Sequence, residues 1–273
     1  MIDFLKGFEL EEKSPIISIK NLHFTYPDGT VALKGVNLTI QEGDSIALVG
    51  KNGSGKSTLI KHLNGIYQGD RGEITIDGLA VVEENLQTIR GLIGMAFQDP
   101  DNQLFCPTIY DDVAFGPINM DMDEMALHKR GRESLEKMGL MDLADCPSHN
   151  LSFGQQKRAA MATILSMRPK IMIFDEPTSN LDPKNEAVIT EIIANLPYTR
   201  ILISHDLPIL YQVCQKVVVM DDGRIDEIMS MEDFISNRQL LRKNGLDFTF
   251  KCDCCNGHNH EHRFNQIEKE PLS

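Results

Sequence analysis

The chain has 273 residues, a formal net charge of −13 and 41% hydrophobic residues. That length allows one large domain or two small ones with a real core, and the ordinary composition excludes wholesale disorder and a fibrous repeat. The acidic balance argues against broad nucleic-acid binding, which needs a positive surface. No apolar run approaches the roughly 18–20 residues that span a bilayer. The N-terminal MIDFLKGFELEEKSP lacks the apolar core and small-residue cleavage site of a secretory signal, so the expected location is the cytosol unless a partner holds the chain elsewhere.

Strands and helices alternate through most of the chain, which predicts an α/β fold. SIALV at 45–49 reads as a buried strand entering a loop at Gly50, with a helix following from about Lys56 to Gly65. EITIDGL at 73–79 reads as a strand and turn, with Asp77-Gly78 as the turn signal, and Ile93 to Phe97 as another strand. Residues from about 100 to 165 are predicted helical. Asp123 caps a helix ending near Gly139, and Ser152 caps a second that ends before Pro169. The α/β pattern resumes with a strand at Ile171 to Phe174. Asp182-Pro183 then opens a helix whose Ile189, Ile192, Ile193 and Leu196 share one face. A strand at Ile201 to Ser204, a hairpin at Val217 to Ile225 around Asp222-Gly223, and a last helix opened by Ser230 and Asp233 complete the series. From about Lys251 the chain turns polar and rich in Cys and His, which reads as a mobile tail. Cys106, Cys146 and Cys214 stand singly and are expected to be free thiols, buried by default.

Gly50-Lys51-Asn52-Gly53-Ser54-Gly55-Lys56-Ser57-Thr58 matches G-x-x-x-x-G-K-[ST] between a predicted strand and a predicted helix. Glycines let backbone amides converge on phosphate oxygens, and the helix N-terminus adds positive potential. All nine residues are therefore candidates for binding ATP. Lys56 can reach the β- and γ-phosphates, and Ser57 can offer its hydroxyl to Mg²⁺. The strand at Ile171 to Phe174 ends in Asp175-Glu176. Beside a phosphate loop, Asp175 is placed to bind Mg²⁺ through its water shell. Glu176 is placed to polarise a water for in-line attack on the γ-phosphate.

Leu151-Ser152-Phe153-Gly154-Gln155-Gln156, upstream of the acidic strand, resembles the LSGGQ signature of ABC-transporter nucleotide-binding subunits. Phe153 stands where the first glycine of the pair would be. The resemblance covers about residues 16–230 in the family's motif order. It implies an ABC ATPase fold: a P-loop NTPase (RecA-like) α/β core with an antiparallel β subdomain and a helical subdomain. By the same resemblance, Gln98 is the Gln-loop residue contacting Mg²⁺ or the attacking water, and His205 is the switch histidine at the γ-phosphate. Ser179-Asn180-Leu181-Asp182 is the D-loop crossing a dimer interface, although Asp182 also suits a plain helix cap. Tyr26 matches the adenine-stacking aromatic, although a strand-end tyrosine packing on its hairpin fits too. Ser152, Gly154 and Gln155 would close over ATP bound to a second chain. Gln98 to Phe105, followed by Asp112 to Pro117, resembles the ATPases of energy-coupling-factor transporters, in which this region faces the membrane partner.

The resemblance implies a dimer of ATPases, with a homodimer favoured, at the cytoplasmic face of the membrane beside integral membrane subunits. No nucleic-acid partner is expected. The chain divides into an extension at 1–15, an ATPase domain at 16–230 with its helical insert, a helix at 231–250 and a tail at 251–273. Cys252, Cys254, Cys255, His258, His260 and His262 crowd the tail, and soft thiolates and imidazoles suit a transition metal. The leading expectation is an importer ATPase for cobalt or nickel. A vitamin importer of the same design, and a soluble ABC ATPase outside transport, are the alternatives.

Overall fold

The computed structural model describes residues 14–246, in two sheets flanked by helices. The predicted extension, apart from its last two residues, and the Cys/His tail lie outside the described residues. In chain order the elements are β1 (Ile17–Thr25), β2 (Val31–Ile40), β3 (Ser45–Val49), α1 (Lys56–Leu63), β4 (Arg71–Ile76), β5 (Leu79–Ala80), α2 (Leu86–Leu92), β6 (Ile93–Ala96), α3 (Ile109–Asn119), α4 (Glu124–Lys137) and α5 (Phe153–Leu165). They continue as β7 (Ile171–Asp175), α6 (Pro183–Ala194), β8 (Thr199–Ile203), α7 (Leu207–Val213), β9 (Lys216–Asp221), β10 (Arg224–Ser230), α8 (Met231–Ser236) and α9 (Arg238–Lys243).

The first sheet is antiparallel, in the order β2-β1-β4-β5. The second runs β10-β9-β3-β8-β7-β6, parallel except for β10, which returns against β9. Both faces of the parallel strands are covered, which is why they read as unbroken apolar runs. Ala47, Val49, Met172 and Phe174 point to one core, with α5, α6 and α7. Ile46, Leu48, Ile171 and Ile173 point to the other, with Leu59, Ile60 and Leu63 of α1 and the inner face of the antiparallel sheet. One strand thus serves two cores through its period-2 alternation.

The turns follow their residues. Asp77-Gly78 and Asp222-Gly223 both hold positive φ at each position (50° and 80°, 45° and 76°), the geometry that closes a two-residue hairpin. Helix α3 carries Pro117 near its end, which leaves the carbonyl of Val113 without its intrahelical donor. The hydroxyl of Ser166, fully buried just beyond α5, donates to that carbonyl at 2.7 Å. The predicted face of α6 is present, with Ile189 and Ile193 buried and Ile192 half-buried, while Leu196 lies past the helix end. The single helix expected over 231–250 is instead two short ones, because Asn237 leaves helical geometry and caps α9 through its side chain. Of the three single cysteines in the fold, Cys214 is buried and Cys106 and Cys146 are half-buried; all three are free thiols.

Candidate active site

The parallel strands deliver their chemistry at one edge, because β3, β6, β7 and β8 all end there. They hand over to the phosphate loop, Gln98, Asp175-Glu176 and Ser204-His205 respectively. Such an edge is where open α/β sheets bind ligands. Strand β8 lies between β3 and β7, so His205 falls between the phosphate loop and the acids, with Gln98 at the outer strand.

The phosphate loop is folded as a cradle. A Cβ on Gly50 would sit 2.3 Å from the carbonyl oxygen of Met220, so no other residue fits there without displacement. Gly55 starts α1 in a left-handed conformation with no side-chain cap, leaving the first helical amides to an outside acceptor such as phosphate. The Ser54 hydroxyl is buried and without a hydrogen-bond partner. The ammonium of Lys56 donates to the carbonyls of Gly50, at 2.6 Å, and Lys51, at 3.0 Å. Burial lowers the Lys56 pKa, against the opposing pull of Glu176 and Asp175. Lys51, Asn52, Gly53 and Ser57 are exposed along the loop. The Ser57 hydroxyl, the Asp175 carboxylate and the Gln98 amide are hard oxygen donors, and that donor chemistry fits Mg²⁺.

Both acids are strained towards neutrality. Burial raises the Asp175 pKa, with Lys56 the strongest opposing charge. Burial also raises the Glu176 pKa, with His205 opposing it. Glu176 Oε1 is buried with no hydrogen-bond partner, while His205 Nε2 stands 3.7 Å away. Oε2 lies 3.4 Å from the Ser204 hydroxyl. Glu176 also holds φ at +48°, a left-handed conformation costing about 1 kcal/mol or more for a residue with a Cβ, and such strain collects at functional sites.

The signature residues open α5. Ser152 accepts from the Gln155 amide at 3.3 Å, and the Gln155 side chain accepts from the Ser152 amide at 2.8 Å, a reciprocal capping box. The Gln155 side-chain oxygen is therefore committed to the cap. Gly154 faces α6 closely enough that a Cβ would meet Asn185 at 2.8 Å. Asp182 caps α6 as its alternative reading predicted, accepting from the amides of Lys184 and Asn185 at 3.0 Å each. The Tyr26 hydroxyl bonds Thr58 Oγ1 at 2.7 Å, and its ring lies edge-on to Phe24 and Tyr67. Tyr26 thus joins an aromatic cluster, while its ring stays half-exposed.

One residue at this edge escaped the motif reading. Lys157 is 4% exposed, and its ammonium donates to the backbone carbonyls of Gln98 at 2.8 Å and Glu176 at 2.9 Å, and to Ser179 Oγ at 3.2 Å. Burial lowers its pKa to about 8, against attraction from Glu176, Asp99 and Asp175. A signal was there: Gly154, Lys157, Met161 and Ile164 share the buried stripe of α5, and a lysine on such a stripe needs a reason.

Leu104 and Phe105 part company. Leu104 is buried in the core, while Phe105 is 65% exposed and meets Phe115, itself 47% exposed, edge to face at 5.0 Å. The loop beneath is pinned by Gln103, which donates to Ala160 O and Thr163 Oγ1 of α5, and by Asp112, which accepts from the amides of Phe105 and Cys106. Among the described residues no helix is long and apolar enough to cross a membrane, and no cluster of three or more His, Cys, Asp or Glu could hold a metal ion.

Comparison with known proteins shows the family and the fold. The profile of the ABC transporter family matches residues 33–179. The energy-coupling factor transporter ATP-binding protein EcfA of Carboxydothermus hydrogenoformans is 45% identical over 84% of this chain and 86% of its own. The EcfA of Methanosphaera stadtmanae is 42% identical over 83% of each. Among solved structures, cbiO1 of Clostridium perfringens, described as part of the ABC transporter complex cbiONQ, has a TM-score of 0.75 and 39% identity over 85% of this chain and 94% of its own. An ATP-binding cassette solved as a dimer in a post-hydrolysis state with ADP and phosphate has a TM-score of 0.71 and 29% identity over 79% of this chain and 98% of its own.

Proposed function

This chain belongs to the ABC transporter family and is an ABC ATPase, and from that premise we propose that it powers an energy-coupling-factor importer whose cargo is a cobalt or nickel ion. The observation that carries the hydrolytic part is the shared strand edge, where Lys56, Asp175, Glu176 and His205 meet and Glu176 Oε1 is left buried without a partner. Two such chains bind two ATP molecules between them, and closing and reopening of the pair moves the membrane subunits.

In each site the loop amides of 50–58 receive the triphosphate. Lys56 exchanges the carbonyls of Gly50 and Lys51 for β- and γ-phosphate oxygens. Ser57, Asp175 and Gln98 are the residues that would hold Mg²⁺, which when bound neutralises charge on the β- and γ-phosphates. Glu176 accepts the proton of the attacking water through its unpaired oxygen, and His205 contacts the γ-phosphate. Ser152 and Gly154 of the second chain approach that phosphate with the N-terminus of their α5, and half-exposed Tyr26 stacks on the adenine. The exposed apolar side chains of Phe105, Phe115, Ile118 and Met125 form the surface that receives a membrane subunit, which holds the chain at the membrane face.

The metal cargo is supported by the Cys/His-rich run at 252–262, and the transport role by the likeness to a protein described as part of an ABC transporter complex. The test is purification of the chain from native membranes, identification of what accompanies it, and ATP-driven uptake of radioactive cobalt and nickel by the reconstituted complex. Co-purifying integral membrane subunits and metal uptake are expected. Vitamin uptake without metal uptake overturns the cargo, and isolation without any membrane subunit overturns the transport role.

A further inference from the structure

Lys157 joins three segments that the family motifs treat separately. It lies on α5, one turn beyond the signature residues. An ammonium has three protons, and here each has one acceptor: the Gln98 carbonyl after β6, the Glu176 carbonyl after β7, and Ser179 Oγ in the segment leading to α6. Ser179 in turn donates to the same Glu176 carbonyl at 2.9 Å. The ring of Phe153, at the head of the signature helix, lies 5.4 Å from the ammonium, within range of a cation–π contact. The bulky residue at the glycine position is therefore turned towards Lys157.

None of the three acceptors is a carboxylate. A charge buried against neutral oxygens is a poor route to stability, since its desolvation is offset by hydrogen bonds alone and not by an ion pair. What the arrangement does is hold geometry. The peptide oxygen of Glu176 is anchored on the residue whose φ is +48°, and the Gln98 carbonyl is anchored beside it.

We propose that Lys157 is a positioning residue for hydrolysis, which with Phe153 ties the signature helix of each chain to that chain's own water-activating glutamate and Gln loop. This rests on the reading that residues 152–154 face ATP held by the other chain. Under that reading each Lys157 links the arrival of the partner's nucleotide to the setting of its own Glu176, so the two sites fire together.

The test is steady-state ATP hydrolysis by the full chain with Lys157→Met and Lys157→Gln, with nucleotide affinity and thermal midpoint measured alongside. Lys157→Met is expected to lower kcat by about tenfold to a hundredfold, as displacement of a catalytic group by about 1 Å does, with the KM for ATP within about twofold of wild type. Lys157→Gln, which keeps hydrogen-bond donors in a shorter side chain, is expected to recover part of that loss. In both variants the Hill coefficient for ATP should fall towards one. An unchanged kcat in Lys157→Met overturns the proposal. So does a loss of kcat that merely parallels lost nucleotide binding and a lowered thermal midpoint in both variants. Failure of the dimer reading is seen separately: Ser152→Ala would leave turnover untouched and ATP would not bring wild-type chains together.

Discussion

Replacing Glu176 with Gln separates chemistry from stability, because the two should move in opposite directions. The substitution keeps size and shape and removes the carboxylate proposed to accept the proton. General-base contributions run to about 10²–10⁴-fold, so kcat should fall by about that factor while ATP still binds. The folded state should gain. The Glu176 side chain is 16% exposed, and one carboxylate oxygen has no hydrogen-bond partner. A buried polar atom left unpaired costs about 1–3 kcal/mol, and an ionised one more than a neutral one. His205 at 3.7 Å, about half exposed, and attraction to the ammonium groups of Lys56 and Lys157 offset part of that cost. A net gain of about 1 kcal/mol is expected, which for a chain of this size raises Tm by about 2–4 °C. Phosphate release gives kcat, thermal unfolding without nucleotide gives Tm, and sizing with ATP should show accumulated closed dimers. Turnover within tenfold of wild type refutes the role assigned to Glu176. A lowered Tm refutes the claim that its unpaired oxygen is a cost of function.

The remaining expectations concern separate parts of the chain. Lys56→Ala removes the ammonium from the phosphate cradle and should abolish tight ATP binding, measured with a fluorescent nucleotide; unchanged affinity contradicts the assignment of the loop. Glu186, hydrogen-bonded to Asp206, has its pKa raised from 4.5 to about 7. A raised carboxyl pKa contributes stability that is fully present below about pH 4.5 and is lost as pH rises through 7. Glu186→Gln should therefore be the more stable form at pH 8, by about 1 kcal/mol at most after solvent screening of this half-buried pair. The difference should fade below pH 4.5, and a difference independent of pH across thermal melts would exclude a shared proton. Deleting residues 251–273 should leave ATP hydrolysis largely intact while lowering metal stoichiometry in equilibrium dialysis, and equal metal binding by the shortened chain would remove the tail's proposed role.

What could be read in advance follows from the range over which each signal acts. The phosphate loop was legible because strand, glycines, lysine and helix are contiguous and each fixes the next. The acids and His205 were legible because they end apolar strands, and the strand order brings those ends together. The Asp-Gly turns were legible because only a few residues tolerate positive φ. Helices α2 and α7, at seven residues each, are too short for a helical period to stand out, and their positions are set by tertiary packing. Strand β1 was obscured by register shifts between Ile19 and Leu22 that break its alternation. Helix α3 lies inside the stretch read as helical, but its bounds were obscured by Gly116-Pro117, a sequence that signals a break. It survives because Ser166, more than 50 positions away, serves the carbonyl that proline leaves vacant.

Lys157 belongs to the same class of hidden feature. Its three acceptors are 59, 19 and 22 positions distant, and two of them are backbone oxygens that any residue type would supply. No side-chain pattern could announce them. The residues that contact substrate must be of particular types and so leave motifs. Residues that hold those contacts in place can use whatever oxygen the fold presents, and they leave only the anomaly of a charge on a buried face. A buried lysine without a carboxylate in its hydrogen-bond shell is therefore a sign of positioning, and Lys157 carries that sign where the segments following β6 and β7 meet α5.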